Sequence, residues 1–320
     1  MNDKVVLVGE PMGLFIAKEE GALGKVENFS AAVAGAEYNV AVGLSRLGQK
    51  VSFCTRLGND PMADRILHSM EKNKISRDLV TQTDEALTGF MMKGTTENGD
   101  PEIAYFRRNS AASTISPHDI DVLDLYMCKY LHITGIFPAV SKSAMAAVKR
   151  LLQRAKALDI AVSFDPNLRP QLWENEKAMV IALNSLAESA NTVLPGLSEG
   201  KILTGASDPQ GVAEFYHKMG VTNVIVKLGE KGAYYSGMGQ NKLETGYVPG
   251  FPVTKVIDTV GAGDGFAAGV LSALMEGLPL KEVAERGAVI GAIQVTHKGD
   301  NEGLPTKKRL IAIMAKGKAN

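Results

Sequence analysis

The sequence from Asp258 to Val270 reads DTVGAGDGFAAGV, and it joins a glycine-rich turn to the start of a helix. Apolar side chains recur after this turn at the spacing of an amphipathic helix. The small residues 261–263 let the backbone N–H groups of residues 261–264 point together at the helix N-terminus, where the helix dipole favours negative charge. The pattern therefore predicts an anion hole formed by the backbone of residues 261–264.

Asp264 lies inside this predicted anion hole, where its carboxylate would repel an anion. An aspartate that only caps a helix is the structural alternative, because Asp is common at helix N-termini. In phosphoryl transfer, however, a carboxylate accepts the proton of a hydroxyl group while N–H dipoles and Mg²⁺ stabilise charge on the moving phosphoryl group. We therefore expect Asp264 to be the catalytic base of a phosphoryl transfer.

Other glycine-rich and histidine motifs do not fit the chain. A P-loop needs Gly-Lys followed by Ser or Thr, and every Gly-Lys pair here is followed by Val, Ile or Ala. The dinucleotide motif GxGxxG needs glycine where Phe266 stands. The five histidines form no HExxH or triad-like local motif. These mismatches argue against Walker-type kinases, nicotinamide enzymes, metalloproteases and hydrolases.

Composition also excludes classes of protein. The 320 residues contain 35 Lys plus Arg and 35 Asp plus Glu, so the chain lacks the basic excess with which proteins bind nucleic acids. Cys54 and Cys128 show no metal or redox spacing, and we expect both in the core. No apolar run approaches the roughly 18 to 20 residues that span a bilayer, and the N-terminus does not resemble a signal peptide. We expect a cytoplasmic protein without nucleic-acid or membrane partners.

Short β-rich runs alternate with amphipathic stretches along most of the chain. The predicted strands are Val5–Val8, Val51–Phe53, Tyr130–Thr134, Ala161–Phe164, Thr192–Leu194 and Val224–Leu228. The clearest helix runs from Ser141, its N-cap, to Leu158. This alternation predicts an α/β fold with a mostly parallel sheet covered on both faces, whose ligands bind beyond the carboxyl ends of the strands.

Two segments interrupt this alternation. Met12–Ala17 and Thr88–Arg108 contain mixed apolar and polar runs, the second around the turn Glu97-Asn98-Gly99-Asp100. The pattern indicates an antiparallel hairpin inserted into the parallel-sheet domain. It is either a lid over the ligand site or a hairpin at a sheet edge without a role in binding.

Two separated motifs resemble the signatures of the ribokinase-like (PfkB) carbohydrate kinases. The run Asp258–Asp264 matches the C-terminal signature of that family, and Gly35-Ala-Glu-Tyr-Asn39-Val-Ala resembles its N-terminal, sugar-contacting signature. The resemblance implies a three-layer sandwich with a mostly parallel central sheet and a small β lid. It further implies one ribokinase-like domain over residues 1–320, with the lid formed by segments of about 11–34 and 88–110.

The resemblance also assigns roles to individual residues. Asp264 is the base acting on the sugar hydroxyl, and Gly261, Ala262 and Gly263 supply the anion hole. ATP and Mg²⁺ are expected as the phosphoryl donor and its metal ion. Glu199 resembles the glutamate of the NxxE motif, which helps to position Mg²⁺ through water, although Gly196 stands where that motif has asparagine. The segment Lys227–Gly232 resembles the KxGxxG segment, whose glycines could equally belong to a simple hairpin. The expected nucleotide-binding residues are Asn167, Lys227, Gly229, Gly232, Gly261 and Gly263.

Several arginines suggest an acidic sugar, because the planar guanidinium binds carboxylates bidentately. Arg107 lies on the predicted lid and Arg169 lies just past a predicted strand, although either could be a solvated surface residue. Tyr105 shares a face of the lid strand with Arg107, since side chains alternate along a strand. The expected substrate-binding residues are Gly35, Asn39, Tyr105, Arg107, Arg169, Asp264 and Asp300, although Asp300 could equally be an aspartate of a simple turn.

Together these motifs are most similar to those of 2-keto-3-deoxygluconate kinases, a subfamily that phosphorylates an open-chain keto acid on its terminal hydroxyl. One departure is Phe90-Met-Met92, where members of that subfamily often carry a tyrosine. The alternatives are a related kinase of a neutral sugar such as fructose or ribose, and a sugar-binding regulator that has lost catalysis. The resemblance also implies a homo-oligomer assembled through the lid.

Overall fold

The computed structural model of the chain describes residues 3–96, 102–239 and 242–317. Its strands are β1 (Lys4–Val8), β2 (Met12–Ala17), β3 (Phe29–Ala34), β4 (Lys50–Gly58), β5 (Val80–Thr83), β6 (Phe90–Lys93), β7 (Ile103–Phe106), β8 (Cys128–Thr134), β9 (Ala161–Asp165), β10 (Thr192–Val193), β11 (Asn223–Lys227), β12 (Ala233–Met238) and β13 (Leu243–Val248). Its α-helices are α1 (Ala36–Arg46), α2 (Pro61–Lys72), α3 (Pro117–Asp121), α4 (Lys142–Ala157), α5 (Glu176–Ala187), α6 (Leu197–Thr204), α7 (Pro209–Lys218), α8 (Ala262–Met275), α9 (Leu280–Gln294) and α10 (Lys307–Gly317).

The central sheet contains nine strands in the described part of the chain. Their order is β13-β12-β11-β10-β9-β8-β1-β4-β5, and the strands from β11 to β5 run parallel. Strands β12 and β13 are antiparallel additions at one edge. Every strand predicted from the sequence is present, and the predicted helix over 141–158 is α4, capped by the Ser141 hydroxyl, which accepts from the Ala144 amide at 2.9 Å.

Strand β1 shows why helices cover both faces of this sheet. Val6 and Val8 belong to a core formed with α4, α5 and α7, whereas Val5 and Leu7 belong to a core formed with α1, α2, α8 and α9. Successive side chains of a strand point to opposite faces of the sheet, so a continuous apolar run contributes side chains to both cores. The prediction of a mostly parallel α/β fold with helices on both faces is confirmed.

A second, smaller sheet lies at the carboxyl edge of the central sheet and forms the lid. Its strand order is β3-β2-β6-β7, with β2 antiparallel to β3 and β6 antiparallel to β7. Met12, Leu14, Ala34 and Met91 form its own small apolar core. The turn predicted at residues 97–100 lies outside the described residues. The expected small β lid is present.

Both cysteines are buried, as expected. Cys54 is 4% and Cys128 1% exposed. Burial raises the pKa of the Cys54 thiol to about 12 and that of the Cys128 thiol to about 11, because a low-dielectric surrounding disfavours the thiolate. Among the described residues, no helix is long and apolar enough to cross a membrane.

Candidate active site

A cavity of about 740 Å³ lies at the carboxyl ends of the parallel strands, beneath the lid. Such sheets bind ligands at this edge because the strand ends and helix N-termini converge there. Most of the residues predicted for the site line this one cavity, namely Gly35, Asn39, Tyr105, Arg107, Asn167, Arg169, Glu199, Lys227, Gly261, Gly263, Asp264 and Asp300.

Three predicted residues do not line it. The Ala262 amide donates to the Thr259 carbonyl at 3.3 Å, so this N–H is already engaged in the turn. Gly229 and Gly232 lie in the turn between β11 and β12, with φ angles of 61° and 95°. A Cβ on Gly232 would lie 2.1 Å from the Val248 carbonyl oxygen, so the close approach of two chain segments explains this glycine.

Gly261 fixes where helix α8 begins. It is the N-cap residue and has a φ of 77°, a left-handed conformation that glycine adopts most readily. A Cβ at this position would lie 2.1 Å from the Asp300 carbonyl oxygen. The first N–H groups of a helix have no acceptor within the helix, so the amides of residues 263 and 264 face the cavity end of α8 without intrahelical partners. This geometry fits an anion hole.

Asp264 lies in the first turn of α8 and is 8% exposed. Its Oδ2 accepts from the Asn39 side-chain amide at 2.8 Å, and its Oδ1 accepts from that of Asn167 at 3.5 Å. Burial raises the pKa of Asp264 to about 7, and the nearby carboxylates of Asp165 and Asp300 add to the rise. A carboxyl group with a pKa near neutrality is suited to accept a proton and release it again.

Lys227 and Asp165 form a buried ion pair at the ends of β11 and β9. The Lys227 Nζ lies 2.9 Å from Oδ1 and 2.7 Å from Oδ2 of Asp165. Burial alone would lower the pKa of Lys227, but the carboxylates of Asp165 and Glu199 outweigh it, and the net shift is upward. An ammonium ion is therefore held close to Gly263, where an added Cβ would lie 3.6 Å from the Lys227 Nζ.

Glu199 lines the cavity with its carboxylate held by backbone amides. Its Oε1 accepts from the Leu168 N–H at 2.8 Å, and its Oε2 accepts from the Gly196 N–H at 2.6 Å. Among the described residues, no cluster of three or more His, Cys, Asp or Glu side chains could cage a metal ion. A fixed, single carboxylate fits Mg²⁺, which keeps several waters and commonly binds through one or two carboxylates together with substrate phosphates.

The two predicted carboxylate-binding arginines both reach the cavity, but their surroundings differ. Arg107 follows β7, and its Nε donates to Oε2 of Glu10 at 2.7 Å. Glu10 is 2% exposed and also accepts from the Ser110 hydroxyl. Arg169 is exposed, and its Nη1 donates to the Leu168 carbonyl at 2.9 Å. Arg107 is therefore oriented by a buried carboxylate, whereas Arg169 has fewer constraints.

An ion pair also joins the lid to the loop that precedes α8. The Lys93 Nζ on β6 lies 2.8 Å from Oδ2 of Asp258, with 7% and 16% of the two side chains exposed. Oδ1 of Asp258 accepts from the Val260 amide at 3.0 Å. Burial alone would raise the pKa of Asp258, but these hydrogen bonds outweigh it, and the pKa falls. The lid is thereby connected to the segment that carries Asp264.

The family of the chain follows from comparison with known proteins. The model of the pfkB family carbohydrate kinases matches residues 2–307. The chain belongs to this family. It is therefore a carbohydrate kinase by descent, and its cavity contains the buried carboxyl group of Asp264 beside a helix N-terminus.

Individual relatives cover nearly the whole kinase. A 2-dehydro-3-deoxygluconokinase of Bacillus subtilis (strain 168) is 40% identical over 317 residues, which are 98% of this chain and 96% of that protein. The crystal structure of a PfkB protein from Polaromonas sp. JS666 is 44% identical and has a TM-score of 0.88, covering 97% of this chain and 99% of that one. A putative ribokinase II from E. coli, solved in complex with ATP and Mg²⁺, has a TM-score of 0.87 at 24% identity over 98% of this chain and 99% of that one.

Several residues in or beside the cavity were not predicted from the sequence. Glu10, Lys93, Asp165 and Asn301 all contact predicted site residues or the loop before α8. Glu10 and Asp165 lie at or just after the carboxyl ends of strands β1 and β9, so the rule that sites form at those ends could have identified them. Lys93 and Asn301 carry no such signal, because Lys93 lies on a lid strand and Asn301 in the loop after α9, away from the carboxyl ends of the parallel strands.

Proposed function

We propose that this pfkB-family kinase transfers the γ-phosphoryl group of ATP to the terminal primary hydroxyl of 2-keto-3-deoxygluconate and so forms the 6-phosphate. The observation that carries the proposal is the placement of Arg107 and Arg169 in the same cavity as Asp264. The guanidinium of Arg169, together with the Nη1 of Arg107 that Glu10 does not engage, suits a substrate with a carboxylate at one end, and the buried carboxyl suits a hydroxyl at the other. The name of the Bacillus subtilis relative agrees with this substrate.

The chemistry follows from the groups around Asp264. The oxygen of the substrate hydroxyl forms a bond to the γ-phosphorus, the bond from that phosphorus to the β–γ bridging oxygen breaks, and Asp264 takes the hydroxyl proton. The amides at the start of α8 and the ammonium of Lys227 stabilise the negative charge of the phosphates. Asp300, whose buried Oδ1 lacks a hydrogen-bond partner among the described groups, offers an acceptor for a sugar hydroxyl.

ATP and Mg²⁺ are proposed as the donor and its metal ion. Support comes from family membership and from the ATP and Mg²⁺ held by the E. coli ribokinase-like protein of the same fold. Glu199, fixed by two backbone amides, would help to hold Mg²⁺ through water, with Gly196 in place of the motif's asparagine. When bound, Mg²⁺ neutralises charge on the phosphates. The nucleotide-binding roles of Asn167, Lys227 and the glycines are part of the same proposal.

A panel of sugars with coupled detection of ADP tests the substrate. We expect turnover with 2-keto-3-deoxygluconate to exceed that with fructose or ribose. Higher turnover with either neutral sugar would make the alternative assignment correct. Absence of ATP turnover with every sugar of the panel would leave the sugar-binding regulator as the better description.

Substitution of the base tests the mechanism. Asp264→Asn should lower kcat by roughly 10²- to 10⁴-fold, the usual contribution of general-base catalysis. Asp208→Asn is the matched control, because Asp208 caps α7 outside the cavity and Asn caps helices as well as Asp does. In the wild type, kcat/KM should rise as the pH rises through about 7, because the base must be ionised. Near-normal turnover in Asp264→Asn would refute the assignment.

We further propose that residues 1–320 act as one domain and that two copies assemble through the lid. Tyr105 and Phe106 are 43% and 50% exposed on β7, which is one of the two edge strands of the lid sheet. Exposed apolar side chains on an edge strand favour pairing with another chain.

A further inference from the structure

The side-chain amides of Asn301 and Asn39 form a row of hydrogen bonds between lid strand β3 and Asp264. The Asn301 Nδ2 donates to Oδ1 of Asn39 at 2.9 Å, and the Asn39 Nδ2 donates to Oδ2 of Asp264 at 2.8 Å. The same Asn301 Nδ2 also donates to the Val33 backbone carbonyl of β3 at 3.3 Å. Asn39 is 2% and Asn301 9% exposed, so water does not compete freely for these groups.

The direction of this row is determined at one end by the backbone. An asparagine amide has an NH₂ end that only donates and a carbonyl end that only accepts. Because the Val33 carbonyl can only accept, the NH₂ end of Asn301 must face it. The same NH₂ group then meets the carbonyl end of Asn39 and leaves the NH₂ end of Asn39 facing Asp264.

We propose that Asn301 is a positioning residue, which fixes the orientation of the Asn39 amide so that Asn39 donates a hydrogen bond to the carboxylate of Asp264. The inference rests on the proposed function in assigning Asp264 as the base. Asn301 does not touch the reacting atoms. It acts through Asn39, favours the ionised form of the base and fixes the carboxylate plane.

Other charged groups around Asp264 also shift its pKa. Asp165 and Asp300 raise its pKa, while Arg169 lowers it, and the ammonium of Lys227 lies close enough to interact with it. Glu302 lies beside Asn301, with Oε2 accepting from the Asn301 backbone amide at 3.0 Å. The Asn39 hydrogen bond lowers the pKa of Asp264, so its loss should raise that pKa further.

Two variants test the proposal. Asn301→Leu removes the donor without adding charge, and Asn301→Asp keeps the shape while presenting only acceptors to Asn39. In both, the Asn39 amide is free to turn its carbonyl end towards Asp264. The acid limb of kcat/KM should move to higher pH by roughly 0.5 to 1 unit, because hydrogen bonding to the charged form no longer favours it. Activity at pH 6 should fall more than activity at pH 9.

Asn184→Leu is the matched control. The Asn184 amide also donates to a backbone carbonyl, that of Leu203 at 2.8 Å, but Asn184 does not line the cavity. The acid limb of kcat/KM in Asn184→Leu should lie at the same pH as in the wild type. An unchanged acid limb in both Asn301 variants, with activity lowered equally at every pH, would show a structural role alone and overturn the proposal.

A titration without substrate separates this inference from the proposed function. Carbon-13 NMR of labelled aspartate carboxyls, with the Asp264 signal assigned from Asp264→Asn, reports the ionisation of Asp264 in the ligand-free protein. A higher midpoint in Asn301→Leu, which adds no charge, supports the proposal even if no sugar on the panel is phosphorylated. The carboxylate added in Asn301→Asp would raise the midpoint by repulsion as well, so this variant alone does not decide the outcome. An unchanged midpoint in Asn301→Leu contradicts the proposal even if the kinase activity is established.

Discussion

Asp264 is buried, and burial opposes the ionised form that a proton acceptor needs. It is almost fully buried, and its pKa is raised to about 7, so ionisation at neutral pH costs folding free energy. The unfolded chain releases this proton near pH 4, whereas the folded chain retains it to about pH 7. Stability contributed by the protonated form is therefore lost as the pH rises through that window, so the proposed base is maintained at the expense of stability.

Arg169 is the residue on which the choice of an acidic sugar can be tested. Arg169→Ala should weaken binding of 2-keto-3-deoxygluconate by about 1.5–3 kcal/mol, the range for hydrogen bonds to charged groups, or roughly tenfold to 150-fold in KM. Arg108→Ala is the control, because Arg108 is exposed and does not line the cavity. Equal losses for the keto acid and for fructose would contradict a carboxylate-binding role.

Single residues were predictable where the signal is local. Asp264 and Gly261 could be predicted as site residues because one short segment contains both the small residues of an anion-binding helix start and a carboxylate. The hydrogen bond from Asn301 to Asn39 joins residues 262 positions apart, and no local pattern indicates it. The engagement of Arg107 by Glu10 was unforeseen for the same reason.

At the level of elements, the spacing of apolar residues and the length of each apolar run correctly predicted the strands of the central sheet and the helix α4. The strands of the central sheet are short apolar runs that both cores bury, which makes them stand out from the amphipathic helices. The resemblance brought both lid segments together, but no local pattern indicates the parallel pairing of β2 with β6, because β3, α1, β4, α2 and β5 separate these strands in sequence.

The contact between strand β6 and the loop before α8 gives an element-scale prediction. Lys93→Met removes a nearly buried partner of Asp258 and should lower the free energy of unfolding by about 1.5–3 kcal/mol. Lys50→Met is the matched control, because the pair between Lys50 and Asp3 is 72% and 45% exposed, and surface pairs contribute about 0–1 kcal/mol. Chemical denaturation measures both variants. Equal losses would show that the lid contact adds nothing beyond a surface pair.

At the scale of the whole molecule, the central sheet separates two apolar cores, and the lid has a third, much smaller one. A sheet of four short strands with so small a core has little independent stability. Its position therefore depends on contacts with the main body, such as the ion pair from Lys93 and the hydrogen bond from Asn301 to Val33.

Assembly through the lid is tested at the same scale. Phe106→Glu places a charge on the exposed edge strand and should shift the protein towards monomers, measured by light scattering after size-exclusion chromatography. Val122→Glu is the control, because Val122 is 72% exposed on a different part of the surface. A mass that stays dimeric in Phe106→Glu, or a wild type that is monomeric, would contradict assembly through β7.

The burial of Cys54 and Cys128 also has a practical consequence. With thiol pKa values of about 12 and 11, neither side chain offers a reactive thiolate while the protein is folded. A cysteine introduced on an exposed position of the lid would then react with a maleimide dye in the natural sequence background, without prior removal of the native thiols. Lid movement on sugar binding could thus be followed by fluorescence in an otherwise unaltered protein.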